Sequence, residues 1–319
     1  MKEEYRKAAE TAVKTCLGVK PGEKFLVITD TEKFDIGEAL FEVGVEIGAE
    51  ALLAVMKPRT RHGEEPPEPI AEMWKDVDVF IAPTKYSLSH TQARERATEH
   101  GARGATMPGI TSEMFVETLS TDYTIIKEYN ERMKKALLGK KTVRVTTELG
   151  TDITLSIEGR EILTDDGILH EKGAFGNLPA GEVFIAPVEG TANGKIVVDG
   201  SFAAIGILDE PITITVENGF ATKIEGGAQA EKLKEMLASV NKKEAYNIAE
   251  LGIGSNLNAK IVGNILEDEK VYKTVHIALG DNSTIGGKTQ AGIHLDGIIT
   301  KPTLIADGVV LIENGEWKI

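Results

Sequence analysis

Apolar residues follow two different spacings along the first 138 residues. Four short apolar runs have the length and β-branched content of buried strands: 24–30, 50–56, 76–82 and 102–107. Four other segments carry apolar residues at helical spacing: 3–17, 36–47, 89–99 and 112–138. Strands that alternate with helices indicate crossover connections and a parallel sheet.

The pattern changes at Gly139-Lys140-Lys141. From there short strand-like runs with Gly or Asn at their turns predominate: 142–147, 152–157, 182–186, 195–198, 212–216, 272–279, 292–299 and 309–312. One helix is predicted among them, at 230–240. We therefore predict an α/β N-terminal domain with a parallel sheet over residues 1–140. A strand-rich α+β C-terminal domain follows over residues 141–319.

Charge, hydrophobicity and cysteine content limit which partners and which cellular compartment we expect. The formal net charge is −14, so the overall field repels phosphates, and neither nucleic acid nor an anionic membrane is an expected partner. No apolar stretch is long enough to span a bilayer. The single cysteine, Cys16, excludes an internal disulfide and fits a reducing compartment, so we expect a cytoplasmic protein.

The segment HIALGDNSTIGGKTQAGIHLDG, residues 276–297, has features of two kinds of site. Gly287-Lys288-Thr289 resembles the end of a phosphate-binding loop. That motif requires glycine at its first position, where Asn282 stands, and a helix after it. The residues that follow are interrupted by glycine and β-branched, which predicts a strand, so we reject phosphate binding.

The same segment contains candidate metal ligands. His294 and Asp296 are two residues apart on a predicted strand, so their side chains project from the same face. His276 lies in another predicted strand, between Val275 and Ile277. Two imidazoles and a carboxylate are the start of a divalent-metal site. A buried core histidine and a turn aspartate would give the same pattern, so spacing alone leaves both interpretations open.

Two further acids stand among apolar residues. Glu182 comes directly before an apolar strand, and Glu250 lies within Ala249–Gly254. A carboxylate in such a setting is costly to bury unless it is paired or bound to a cation, although a salt bridge or a helix cap is an alternative for each. Together with His276, His294 and Asp296, these residues suit two ions better than one.

At these segments the sequence resembles the aminopeptidase T family, the thermophilic, leucyl aminopeptidase-like metalloaminopeptidases. The matching stretches are CLGVKPGEKFLV (16–27), GARGATMPGIT (101–111), NLPAGEVFIAP (177–187), AELGIG (249–254), HIALG (276–280) and GIHLDG (292–297). The resemblance implies a metal-binding C-terminal domain, a homodimer, and release of N-terminal amino acids from short peptides. It implies that a pair of Zn²⁺, Co²⁺ or Mn²⁺ ions activates water. The implied ligands are Glu182, Glu250, His276, His294 and Asp296.

Proton transfer in such a reaction requires a further carboxylate. The acidic cluster Glu267-Asp268-Glu269 offers one, Glu269 above all, and a solvated acidic loop is the alternative. The sequence departs from the family at Ser283, where a tyrosine is common, and the chain is shorter than usual. Two other functions therefore stay open. One is a single-iron, ring-cleaving dioxygenase of the dihydroxypyridine type, with His276, His294 and Asp296 as ligands. The other is a metal-binding relative without turnover.

Overall fold

The computed structural model describes residues 2–319, which form two compact units. The first unit comprises the chain up to Lys127 and includes the later segment Asp165–Ala180. The second comprises Glu128–Thr164 and Gly181–Ile319. The domain boundary near residue 140 stays a prediction.

The described residues contain eight α-helices and twenty strands. The helices are α1 (Glu3–Glu10), α2 (Phe34–Ile47), α3 (Glu68–Trp74), α4 (Gln92–Glu99), α5 (Ser112–Leu119), α6 (Tyr123–Leu137), α7 (Ala228–Ser239) and α8 (Ile265–Asp268). The strands are β1 (Lys24–Asp30), β2 (Glu50–Met56), β3 (Val79–Thr84), β4 (Arg103–Pro108), β5 (Thr142–Thr146), β6 (Asp152–Ser156), β7 (Leu163–Asp165), β8 (Phe175–Asn177), β9 (Glu182–Ile185), β10 (Asn193–Val198), β11 (Ser201–Phe202), β12 (Gly206–Ile207), β13 (Ile212–Glu217), β14 (Phe220–Glu225), β15 (Ile248–Gly254), β16 (Thr274–Gly280), β17 (His294–Thr300), β18 (Thr303–Ala306), β19 (Val309–Glu313) and β20 (Glu316–Trp317). A π-helical turn, Thr11–Cys16, continues α1.

The first unit is built on a five-stranded parallel sheet in the order β2-β1-β3-β4-β8. β3 is buried along its whole length and β1 along all but its first residue, because helices connect the strands and cover the sheet. β2 lies at one edge and is largely accessible. The predicted α/β class of this part is confirmed.

The single long helix predicted for residues 112–138 is wrong. The structure has two helices there, α5 and α6, separated at residues 120–122. The Asp122 carboxylate accepts hydrogen bonds from the backbone N–H and the hydroxyl of Thr124, at 2.9 and 2.6 Å. Such a local bond competes with helix continuation, so a new helix begins at this point.

The second unit contains two antiparallel sheets. The larger has eight strands in the order β14-β13-β10-β6-β5-β18-β19-β20, and the smaller has seven in the order β12-β11-β17-β16-β15-β9-β7. One hydrophobic core takes side chains from both sheets and from α6 and α7. The strand-rich α+β class predicted for this part is confirmed. The prediction did not include β15, whose two glycines and one glutamate conceal a strand that is buried throughout.

None of the helices within residues 2–319 is both long and apolar enough to cross a membrane.

Candidate metal centre

The five predicted ligands lie on four neighbouring strands of the seven-stranded sheet. Glu182 begins β9, Glu250 lies on β15, His276 on β16, and His294 and Asp296 on β17. These strands are adjacent in the order β17-β16-β15-β9. The structure therefore brings together residues that are more than a hundred positions apart in sequence.

The strand register explains why these side chains share one face of the sheet. Ala278 of β16 pairs with both Glu250 and Asp296, and His276, two residues earlier on β16, pairs with Gly252. Side chains on a strand alternate between the two faces. The intervening apolar residues all belong to the hydrophobic core: Val183, Ile185, Leu251, Ile253, Val275, Ile277, Leu295 and Ile299. Burial of these residues turns the polar ones to the opposite face.

A glycine opposite His276 makes room for its imidazole. A Cβ added at Gly252 would lie 1.9 Å from Nε2 and 2.1 Å from Cε1 of His276, so the ring occupies the space that any side chain there would need. Gly254, the next residue on that face, makes room for a neighbouring backbone segment. A Cβ at Gly254 would lie 2.1 Å from the carbonyl oxygen of Val271. Residues 270–271 can therefore pass close to β15.

The ligand atoms form two groups that share Glu250. In one, Nε2 of His276 lies 3.3 Å from Glu250 Oε1 and 3.3 Å from Glu182 Oε2. In the other, Nε2 of His294 lies 3.3 Å from Glu250 Oε2 and 3.4 Å from Asp296 Oδ1. Each imidazole thus faces two carboxylate oxygens. Only a proton or a metal cation makes such an arrangement favourable.

Burial makes the electrostatics of this face strong. The three carboxylates are at most 7% exposed and His276 is fully buried. Burial lowers the pKa of His276, but attraction to the facing carboxylates of Glu182 and Glu250 outweighs that effect and holds the pKa well above its usual value. The pKa of His294 is also raised well above its usual value, by Asp296 and Glu250 against the effect of burial. The facing carboxylates thus favour the cationic form of both imidazoles.

Contacts outside the site orient one histidine. Nδ1 of His294 donates a hydrogen bond to the carbonyl oxygen of Asp281, at 2.7 Å, which leaves Nε2 directed at the carboxylates. The Asp281 carboxylate in turn accepts hydrogen bonds from the Ser283 hydroxyl and from the backbone N–H of Ala291. Ser283, where the aminopeptidase family often has tyrosine, is therefore part of the turn that carries His294.

Two buried atoms of the site have no hydrogen-bond partner among residues 2–319: Oε2 of Glu182 and Nδ1 of His276. A buried carboxylate oxygen without a donor is unfavourable unless a cation approaches it. The donor set therefore fits a divalent metal ion.

The acidic cluster Glu267-Asp268-Glu269 is not a solvated loop, and that alternative is wrong. Glu267 and Asp268 are almost fully buried and accept hydrogen bonds from backbone N–H groups of Lys260, Val262 and Gly263. These two acids fold the loop around α8 rather than contributing to the centre.

Glu269 and the next residue, Lys270, do reach the centre. Lys270 is buried, and its Nζ donates hydrogen bonds to Glu182 Oε1 at 2.5 Å and to Glu269 Oε1 at 2.7 Å. Burial raises the pKa of Glu269 to about 8, although Lys270 acts to lower it. Glu269 is therefore largely protonated at neutral pH.

Sequence reasoning missed Lys270 and Gly252. Lysine is almost always exposed, so nothing in the local pattern separates Lys270 from a surface residue. One feature of the sequence could have indicated Gly252. Glycine inside a strand often marks the close approach of another group, and in Glu250–Gly254 a glutamate and two glycines alternate with apolar residues.

The segment Gly287-Lys288-Thr289, which resembles the end of a phosphate-binding loop, has a structural role. The backbone N–H of Lys288 donates to Glu189 Oε1 at 2.7 Å, and that of Thr289 donates to Asn282 Oδ1 at 2.8 Å. No helix begins after Thr289 within the described chain. The rejection of phosphate binding on sequence grounds thus agrees with the loop's geometry.

Comparisons with known proteins relate the whole chain to one enzyme family. The family model described as NicX, 2,5-dihydroxypyridine 5,6-dioxygenase, matches residues 5–318. A curated 2,5-dihydroxypyridine 5,6-dioxygenase from Pseudomonas putida KT2440 is 27% identical over 168 residues, which are 49% of this chain and 48% of the relative. The aligned part thus spans about half the length of that relative.

Two solved structures share the fold. The structure of 2,5-dihydroxypyridine dioxygenase from Pseudomonas putida KT2440 has a TM-score of 0.83 and 19% identity, over 98% of this chain and 97% of that one. Wild-type AmpT from Thermus thermophilus has a TM-score of 0.74 and 18% identity, over the full length of both chains. At these identities the likeness shows the fold alone, so the resemblance to aminopeptidase T holds for the architecture.

The predicted aminopeptidase function is wrong. Both the family model and the curated relative are named 2,5-dihydroxypyridine 5,6-dioxygenase, and dioxygenases are oxidoreductases rather than peptide-bond hydrolases. The pair of Zn²⁺, Co²⁺ or Mn²⁺ ions and the short-peptide substrates followed from the aminopeptidase resemblance and are wrong for the same reason, since oxygenases with two histidines and one carboxylate use a single Fe(II). The dioxygenase alternative is the better supported one. The chain belongs to the NicX, or 2,5-dihydroxypyridine 5,6-dioxygenase, family.

Proposed function

We propose that this protein is an Fe(II)-dependent dioxygenase that opens the ring of a dihydroxylated pyridine, with 2,5-dihydroxypyridine as the substrate to test first. The observation that carries the proposal is the convergence of two imidazoles and several carboxylates on one buried sheet face, in a chain of this family. Two histidines and one carboxylate are the typical ligands of non-haem Fe(II) oxygenases.

The proposed iron ligands are His276, His294 and Asp296. Glu250 lies between the two imidazoles, with one oxygen toward each, and completes or orients the ligand set. Glu182 stands at the other end of the centre and is paired with Lys270. The ion pair with Lys270 therefore accounts for a buried carboxylate at Glu182 without a second metal ion.

Bound Fe(II) supplies the one-electron chemistry that lets O₂ react with an electron-rich ring. Glu269 is proposed to exchange protons with the ring hydroxyls, because a group with a pKa of about 8 can both donate and accept near neutral pH. Its side chain is 17% exposed, so part of it is reachable from outside. Burial raises the pKa of Glu250, but hydrogen bonds from both imidazoles outweigh that effect, and Glu250 stays ionised.

We also propose a cytoplasmic location. Cys16 is buried and unpaired, and burial raises its pKa well above the usual value, so it is an inert thiol that needs no oxidising compartment.

Oxygen uptake tests the proposed function. The protein reconstituted anaerobically with Fe(II) should consume one O₂ for each 2,5-dihydroxypyridine lost, as measured with an oxygen electrode and by the substrate's absorbance. His294→Ala should lower the rate about 100-fold or more, because the change removes a ligand and not merely its support. His100→Ala, at an exposed histidine outside the centre, is the matched control. Hydrolysis of aminoacyl nitroanilides without oxygen uptake would refute the proposal.

Substitution of Gly252 tests how the centre is positioned. In Gly252→Ala the new methyl group occupies the place of the His276 ring, so the imidazole must turn away. We expect iron affinity to fall by about 10- to 100-fold, as when a residue that supports a ligand is lost, with the circular dichroism spectrum retained. Gly176→Ala is the control, because a Cβ there meets only ordinary contacts at 3.4 Å or more. Unchanged iron binding in Gly252→Ala would contradict the assignment of His276.

Metal binding should depend on pH. A metal ion requires neutral imidazoles, and both histidines have raised pKa values in the metal-free protein, so binding displaces protons. Below those pKa values, apparent affinity should fall about tenfold per pH unit for each proton displaced. Calorimetry of Co²⁺ binding in two buffers of different ionisation enthalpy counts the protons, and His294→Ala should release fewer. Affinity that is constant from pH 8 to pH 6 would be inconsistent with these ligands.

A further inference from the structure

The centre has the ligands for two cations, whereas the proposed function requires one metal ion. Glu182, Glu250 and His276 form one group with ligand atoms within 4.8 Å of one another, and Glu250, His294 and Asp296 form another. Such a pair of groups, joined by a shared carboxylate, is the arrangement that two divalent ions use. Some property of this chain must therefore decide how many ions bind.

Lys270 is positioned to determine the number of metal ions that bind. Its ammonium group is buried at the Glu182 end of the centre and holds Glu182 Oε1 and Glu269 Oε1. A second divalent ion in the first group would bind the same Glu182 carboxylate, on Oε2. Two cations on one buried carboxylate repel each other strongly, because little water is present to screen them.

Charge balance leads to the same conclusion. Four carboxylates face the centre: Glu182, Glu250, Glu269 and Asp296. One divalent ion leaves two negative charges without a counter-charge. The ammonium group neutralises one of them, whereas two divalent ions together with the lysine would leave the centre with an excess positive charge. Two divalent ions would neutralise the carboxylates without any lysine.

The backbone holds Lys270 in place independently of the metal ligands. The N–H of Asn256 donates to the carbonyl oxygen of Lys270 at 2.8 Å, and the N–H of Lys270 donates to the carbonyl oxygen of Glu267 at 2.9 Å. Gly254 allows this segment to lie against β15, beside Glu182. The backbone of Lys270 is therefore fixed beside the centre, and its side chain is buried there.

We propose that the Lys270 ammonium group, held on Glu182 Oε1, excludes a second divalent ion from the group formed by Glu182, Glu250 and His276, and so restricts this centre to a single divalent metal ion. The inference rests on the proposed function for the single-ion requirement. Lys270 acts here as a residue that determines metal stoichiometry, and no contact with substrate is assigned to it.

Metal content of Lys270→Met tests this proposal, because methionine has a similar length and no charge. The wild-type protein should hold one Co²⁺ or Mn²⁺ per chain after desalting, and Lys270→Met should hold two. The second ion should bind at least about 100-fold more tightly in the variant than in the wild type, since the repelling charge is gone. Lys270→Arg keeps the charge and should hold one ion. Lys270→Gln, which keeps a hydrogen-bond donor for Glu182, should hold two and serves if the methionine variant does not fold.

Electron paramagnetic resonance of the Mn²⁺-loaded proteins provides a readout apart from activity. Two ions that share Glu250 should show a spin-coupled spectrum in Lys270→Met, whereas the wild type should show isolated Mn²⁺. One ion in both neutral variants would overturn the proposal, and so would two coupled ions in the wild type. Neither result depends on ring cleavage. A failure of the oxygen-uptake test would therefore reject the proposed function while this inference could still stand.

Discussion

The attraction between buried carboxylates and a small number of cations governs this centre. Three acids and two imidazoles share one face of a sheet whose other face is packed into the hydrophobic core, and Glu269 reaches them from the end of α8. Anions in such surroundings are stable only when positive charge is close to them. Lys270 supplies one such charge, and the carboxylates favour protonation of both imidazoles. A metal ion that displaces the histidine protons maintains the balance, so the site is prepared for a cation before one binds.

The scaffold supplies this arrangement through strand register and through the absence of side chains. Alternation along β9, β15, β16 and β17 sends apolar residues to the core and ligands to the opposite face. Gly252 and Ala278 lie between the ligands on this face. Because their side chains are absent or small, an imidazole has room to lie across the sheet. The geometry therefore depends on small residues as much as on the ligands themselves.

The sequence was sufficient for part of this account. The alternation of strands and helices before residue 140 predicts the parallel sheet, and the two-residue spacing of His294 and Asp296 predicts that they share a face. The break between α5 and α6 was not predictable from apolar spacing, since Asp122 forms only a local hydrogen bond there. Lys270 was hidden because burial of a lysine depends on partners that are distant in sequence. Without Lys270, the five ligands suggested two metal ions, and the resemblance to the aminopeptidase T family then led to the wrong reaction.

A fold shared with AmpT and with a dioxygenase shows that the architecture does not determine the reaction. On our account, the number and position of cations do. The most direct measurement is anomalous diffraction at the iron absorption edge from crystals of the Fe(II)-loaded protein. We expect one peak per chain, in contact with His276, His294 and Asp296, and no second peak. Two peaks bridged by Glu250, or one peak far from the two histidines, would contradict it.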